Sequence, residues 1–120
     1  MKLFHFSATI LLALFLLMWT ESAVSAEKPQ VIVLTDISNE PDDEESLVRF
    51  LVYSNEYHVK GLIATTSVWL QENPREDLIR RQINAYSEVR ENLLQHADGF
   101  PAAEDLLEVT TTGQNGFGME

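Results

Sequence analysis

Val31-Ile32-Val33-Leu34 is a continuous apolar run, rich in β-branched side chains, that stops abruptly at a polar turn. A run without polar alternation is what a strand in a parallel sheet shows, so it predicts a strand buried on both faces. Beyond the turn, Leu47, Val48, Phe50, Leu51 and Tyr53 recur at helical spacing. Pro41 suits the start of that helix, and the acids at 42–45 suit the positive end of its dipole. Ser54-Asn55-Glu56 breaks it, and His58-Val59-Lys60-Gly61-Leu62-Ile63-Ala64-Thr65-Thr66 predicts a second strand. Strand, helix and strand within about 35 residues make a βαβ unit with two parallel strands.

A second helix is marked by Asn73 as N-cap, Pro74 at the first helical position and Glu76 at the capping-box site. Leu78, Ile79, Ile83, Tyr86, Val89 and Leu93 form its apolar stripe, and Asp98-Gly99 lies past its end. Residues 102–108 predict a short helix or turn with Leu106 and Leu107 inward, and residues 110–118 a polar, Gly-rich loop. Two strands do not complete a parallel sheet. The expected fold class is therefore α/β, an open, mostly parallel sheet with flanking helices, incomplete in this chain. It reads as the N-terminal part of a larger domain, or as a small domain that completes its sheet with another chain.

The first residues are of another kind. Lys2 precedes an uncharged apolar run over residues 8–19, Glu21 ends it, and Ala23-Val24-Ser25-Ala26 offers a small-residue cleavage site. A dozen apolar residues are too few to span a bilayer, which takes about 20. Residues 1–26 are expected to be a secretory signal peptide and residues 27–120 the domain, secreted or periplasmic, with no membrane attachment after cleavage. Without cysteine there is neither a lipid-attachment site nor a disulfide framework. Eight Lys and Arg stand against 19 Asp and Glu, a formal net charge of -11. Lys2 and Glu21 cancel, so cleavage leaves that charge unchanged. Such acidity excludes a nucleic-acid partner, which needs clustered cations, and fits a neutral substrate, a divalent cation or plain solubility.

The turn after the first strand reads Thr35-Asp36-Ile37-Ser38-Asn39-Glu40-Pro41-Asp42-Asp43-Glu44-Glu45. In open α/β sheets ligands bind outside the carboxyl ends of the strands, where Asp36 would stand. Asp42 and Asp43 begin the following helix, so three carboxylates can converge on one crevice and share a hard cation. Acids in a first helical turn also occur simply as caps and dipole partners. Both readings stand on the residues alone.

These residues resemble a known family. Thr35-Asp36, Pro41-Asp42-Asp43-Glu44 with Leu47, and Gly61-Leu62-Ile63-Ala64-Thr65-Thr66 are similar to the opening of the nucleoside hydrolase fold. The bacterial cellulose-binding, nucleoside-hydrolase-like family is closer still. That resemblance extends to Trp69-Leu70, Ala85-Tyr86, Val89-Arg90, Gly113-Gln114 and Gly118-Met119. It implies that Asp36 is a calcium ligand and general base, Asp43 a calcium ligand, and Asp42 a partner of a sugar hydroxyl. The metal would lower the pKa of a water, and a carboxylate would take its proton. Leu34 stands where the family carries a further acid, and the turn through Ser38, Asn39 and Glu40 is two residues longer. Trp69-Leu70 replaces an asparagine that follows the second strand in the hydrolases. Asn39, in that longer turn, is a candidate substrate contact, and a glycoside other than an N-riboside is favoured.

Thr65 and Thr66 end the second strand beside this crevice; a hydroxyl there can touch substrate or simply belong to a good β residue. Trp69 follows on a loop, where an aromatic can stack on a sugar ring or anchor a core. His58 and His96 lack partners at ligand spacing. The Gly-rich tail has no preceding strand or lysine to make it a phosphate cradle. Two functions follow, with a carbohydrate or nucleoside-like small molecule as partner. One is a calcium-dependent hydrolase of glycosyl bonds with Asp36 catalytic, Asp36 and Asp43 on the metal, and Asp42, Asn39, Thr66 and Trp69 on the substrate. The other is a non-catalytic polysaccharide-binding domain, or an inactive fragment of such a fold.

Overall fold

The computed structural model describes residues 27–116 and Gly118; the expected leader, residues 1–26, lies outside the described residues. Three parallel strands pair in the order β1 (Gln30–Thr35), β2 (His58–Ala64) and β3 (Thr110–Thr112). Helix α1 (Pro41–Leu51) and a 3-10 turn at Ser54–Glu56 join the first two strands. Helices α2 (Glu76–Leu93) and α3 (Ala103–Glu108) lie between the second and third. The expected open parallel α/β sheet is present, with one more strand than the sequence suggested. Thr110-Thr111-Thr112 pairs with Leu62-Ile63-Ala64, where a loop was expected. Three polar residues carry no period that marks a strand; the exposed edge of β2 supplies it.

Strand β1 corrects a second expectation. It alternates between half-buried and exposed residues rather than being covered on both sides, with Ile32 at 57% and Leu34 at 65% exposure. Topology gives the reason. Crossovers between parallel strands are right-handed, and a sheet that grows always in one direction therefore places every crossover helix on the same face. On that face Leu62, Ala64 and the half-buried Val33 meet Leu47 and Leu51 of α1, Leu78, Ile79, Ile83 and Tyr86 of α2, and Leu106 of α3. Ile32 and Leu34, in register with Gly61 and Ile63, line the other face. A Cβ at Gly61 would stand 3.2 Å from Ile32 Cγ2, so the glycine lets that side chain lie across β2.

Helix α2 starts later than its sequence markers. Its first residue is Glu76, its N-cap is Arg75, and Asn73 sits two residues further out with φ 59°. The Asn73 N–H donates to Asn115 Oδ1 at 2.8 Å, a long-range partner that draws the residue out of the cap position. Two arginines on α2 hold the returning chain by its carbonyls. Arg80 donates to Leu107 O (3.3 Å) and Thr110 O (3.1 Å), and Arg90 to Pro101 O and Phe100 O, each at 2.9 Å. Pro101 O also accepts the Tyr86 hydroxyl at 2.8 Å, and burial pushes that phenol's pKa up. No described helix is long and apolar enough to cross a membrane.

Candidate ligand-binding edge

Parallel strands end together, so their carboxyl ends gather three loops at one edge of the sheet. The first is the acidic turn. Asp36 leaves β1 half-buried, its carbonyl accepts the Asn39 N–H at 3.1 Å, and Ile37 beside it is fully buried. Ser38 adopts φ 88°, which turns the chain tightly toward α1. Asp43 Oδ2 accepts the backbone N–H of Glu40 at 3.0 Å and thereby caps the helix. Glu44 crosses to α2, accepting from Arg81 Nη2 (2.7 Å) and Gln82 Nε2 (3.0 Å). Asp42 is exposed and Asn39 half-buried. Two of the six acids in this turn are thus already engaged in holding α1.

Those contacts bear on the expected calcium. Among the described residues no three His, Cys, Asp or Glu side chains come close enough to share an ion. A hard cation takes six to eight oxygens, more than the carboxylates of Asp36 and Asp43 alone would offer. An open crevice between β1 and α1 is lined by Val33, Leu34, Thr35, Asp43, Ser46, Leu47 and Phe50, so only Asp43 of the expected ligands faces it.

The second loop, residues 65–75, is built differently. The ladder runs one step past β2, with the Thr65 N–H donating to Thr35 O at 2.8 Å. The Thr66 hydroxyl then donates to Gly116 O at 3.1 Å, which engages the expected substrate contact in tying down the third loop. Ser67 closes a tight turn: its N–H donates to Leu70 O at 2.8 Å, and its Oγ accepts from Trp69 N (3.2 Å) and Leu70 N (3.1 Å). At the crown of that turn Trp69 is 80% exposed, the most exposed large apolar side chain among the described residues. Its reading as a buried anchor falls away.

The third loop follows β3. Gly113 N–H donates to Ala64 O at 2.8 Å, and Asn115 reaches Asn73 as described. Between the second and third loops opens a polar cleft of about 430 Å³ lined by Gln71, Glu72, Asn115 and Gly116. Sequence reasoning missed these residues, because nothing local joins Gln71-Glu72 to Asn115. Below the cleft, Glu76 accepts from Arg80 Nε (2.7 Å) and from the Thr112 hydroxyl. First the Thr112 hydroxyl and then the Arg80 guanidinium hold the Glu76 carboxyl below its ordinary pKa.

No curated protein matches this chain. A solved protein from Saccharophagus degradans, described as nucleoside hydrolase-related, hypothetical and associated with carbohydrate metabolism, shares 43% sequence identity and superposes with a TM-score of 0.74. The superposition covers 78% of this chain and 23% of that protein, so the chain corresponds to under a quarter of its length. A family model described as the cellulose-binding Sde182, nucleoside hydrolase-like domain matches residues 30–120, and the chain belongs to that family.

Proposed function

We propose that the domain binds a carbohydrate polymer at the carboxyl edge of its sheet, without needing a catalytic step there. The observation that carries this reading is Trp69, a large aromatic left 80% exposed on a loop braced by its own hydrogen bonds. An indole offers a flat apolar face to the C–H face of a sugar ring. The family is named for cellulose binding, and the 43%-identical relative for an association with carbohydrate metabolism. Retention on insoluble cellulose with divalent cations chelated is the test. The chain is expected to be retained, and passage through cellulose and every other polysaccharide matrix tried would overturn the reading.

A second reading is favoured by Asp36, an acid standing half-buried at the carboxyl end of β1. In it the fold hydrolyses a glycosyl bond, with Asp36 and Asp43 contributing to a calcium site, Asp36 accepting a proton and Asp42 and Asn39 meeting sugar hydroxyls. Bound calcium would supply an activated water. Asp43 would have to share the carboxylate that now caps α1. Calorimetry showing calcium binding that Asp36→Asn abolishes would support this reading; no calcium binding would dismiss it. In either reading the domain is exported after cleavage at Ala26, which N-terminal sequencing of the secreted chain checks.

A further inference from the structure

We propose that the edge takes two consecutive rings of a neutral oligosaccharide, one stacked on Trp69 and the next hydrogen-bonded in the cleft of Gln71, Glu72, Asn115 and Gly116. This rests on the carbohydrate-binding reading and makes its ligand a chain rather than a monosaccharide or a nucleoside.

The platform and the cleft are neighbours but separate. Gln71 lies two residues beyond Trp69, at most about 7 Å along the chain, so one oligosaccharide can reach both platform and cleft. The cleft is polar and open, a surface groove of about 430 Å³ that would meet a ligand along one side. Its walls are held from several directions. Gln71 Nε2 donates to Val68 O at 3.1 Å, Asn115 Oδ1 accepts the Asn73 N–H, and the Thr66 hydroxyl binds Gly116 O. Held groups lose little conformational entropy when a ligand arrives. With its oxygen bonded to Asn73, Asn115 keeps an amide nitrogen that donates to a hydroxyl. The Glu72 carboxylate accepts from two vicinal hydroxyls, the arrangement every unsubstituted pyranose ring offers.

Charge selects among glycans. No Lys or Arg lines the cleft, Glu72 is anionic, and the sequence carries a net charge of -11. A uronate or sulfated chain would meet repulsion on approach and an unpaired charge in the cleft, whereas a neutral glucan meets neither.

Trp69 provides its own readout. The sequence holds two tryptophans, so Trp19→Phe leaves Trp69 as the sole indole whatever becomes of the leader. In that chain, cellotetraose should shift the fluorescence to the blue and saturate. Glucose, a free nucleoside and an oligogalacturonate should give no saturable shift at the same concentrations. Glu72→Ala and Gln71→Ala should each weaken cellotetraose about five-fold or more while leaving the melting temperature in place. Glucose saturating as tightly as the tetramer would overturn the two-ring site, and so would cleft variants that bind cellotetraose unchanged. Retention on insoluble polysaccharide alongside either result confines the failure to this proposal. Loss of retention by the parent chain defeats the carbohydrate reading itself.

Discussion

Two loops leave the carboxyl ends of adjacent parallel strands, and they use their polar residues in opposite ways. After β1 the turn is dense in acids, yet Asp43 is engaged with the Glu40 N–H and Glu44 with Arg81 and Gln82. After β2 the loop is braced by a single serine and two cross-loop hydrogen bonds, and it leaves Trp69 bare. The first loop resembles the acidic turn of the nucleoside hydrolases, with Leu34 and two extra residues departing from it; the second leaves a bare aromatic beside a polar cleft. A motif near a strand end can serve the helix behind it as readily as a ligand in front of it. Which of these holds depends on where its hydrogen bonds go.

Stability measurements separate the residues that hold the fold from those that meet a ligand. The largest effect should come from Arg80→Ala, which strips Glu76 of an ion pair and removes a donor from the carbonyls of Thr110 and of Leu107, the latter keeping the Val109 N–H. A loss of about 2 kcal/mol in denaturant unfolding is expected, the usual worth of a part-buried hydrogen bond from a charged donor together with the ion pair lost beside it. Asp43→Ala should follow at about 1 kcal/mol, the usual cost of losing a cap, with cellulose retention unchanged. Lost retention in that variant would return the ligand to the acidic turn. Glu76→Gln should cost least, on the order of 0.5 kcal/mol at neutral pH, since its ion pair with Arg80 is partly solvent-screened. Its effect should depend on pH. The folded-state pKa of Glu76 is lowered, so its contribution is full above the ordinary carboxylate range and fades as pH falls through the folded value. Urea midpoints of parent and variant should therefore converge in acid.

Much of this was legible in the chain. Val31-Ile32-Val33-Leu34, the helix behind Pro41 and the strand from His58 follow from periodicity and turn chemistry, and the structure has all three. What periodicity does not carry is neighbourhood. It treats an apolar run as buried on both faces, and the one-directional strand order leaves Ile32 and Leu34 open. It marks Asn73 as a cap, and Asn115, 42 residues away, claims the same residue for the loop. It sees three threonines as a tail, and β2 makes them a strand. Trp69 was visible as an aromatic on a loop, but its exposure was not, because nothing local says whether a core is near enough to receive it. The cleft is the extreme case, assembled from residues whose proximity exists only after folding.

Ligand binding is proposed to belong to the loop after β2 and not to the acidic turn after β1. Cellulose retention of Trp69→Ala and Asp36→Asn, measured side by side with calcium chelated and again with calcium present, tests it most directly. Trp69→Ala should fall through in both conditions while melting like the parent, and Asp36→Asn should be retained in both. Retention of Trp69→Ala together with loss of Asp36→Asn would place the ligand at the acidic turn instead.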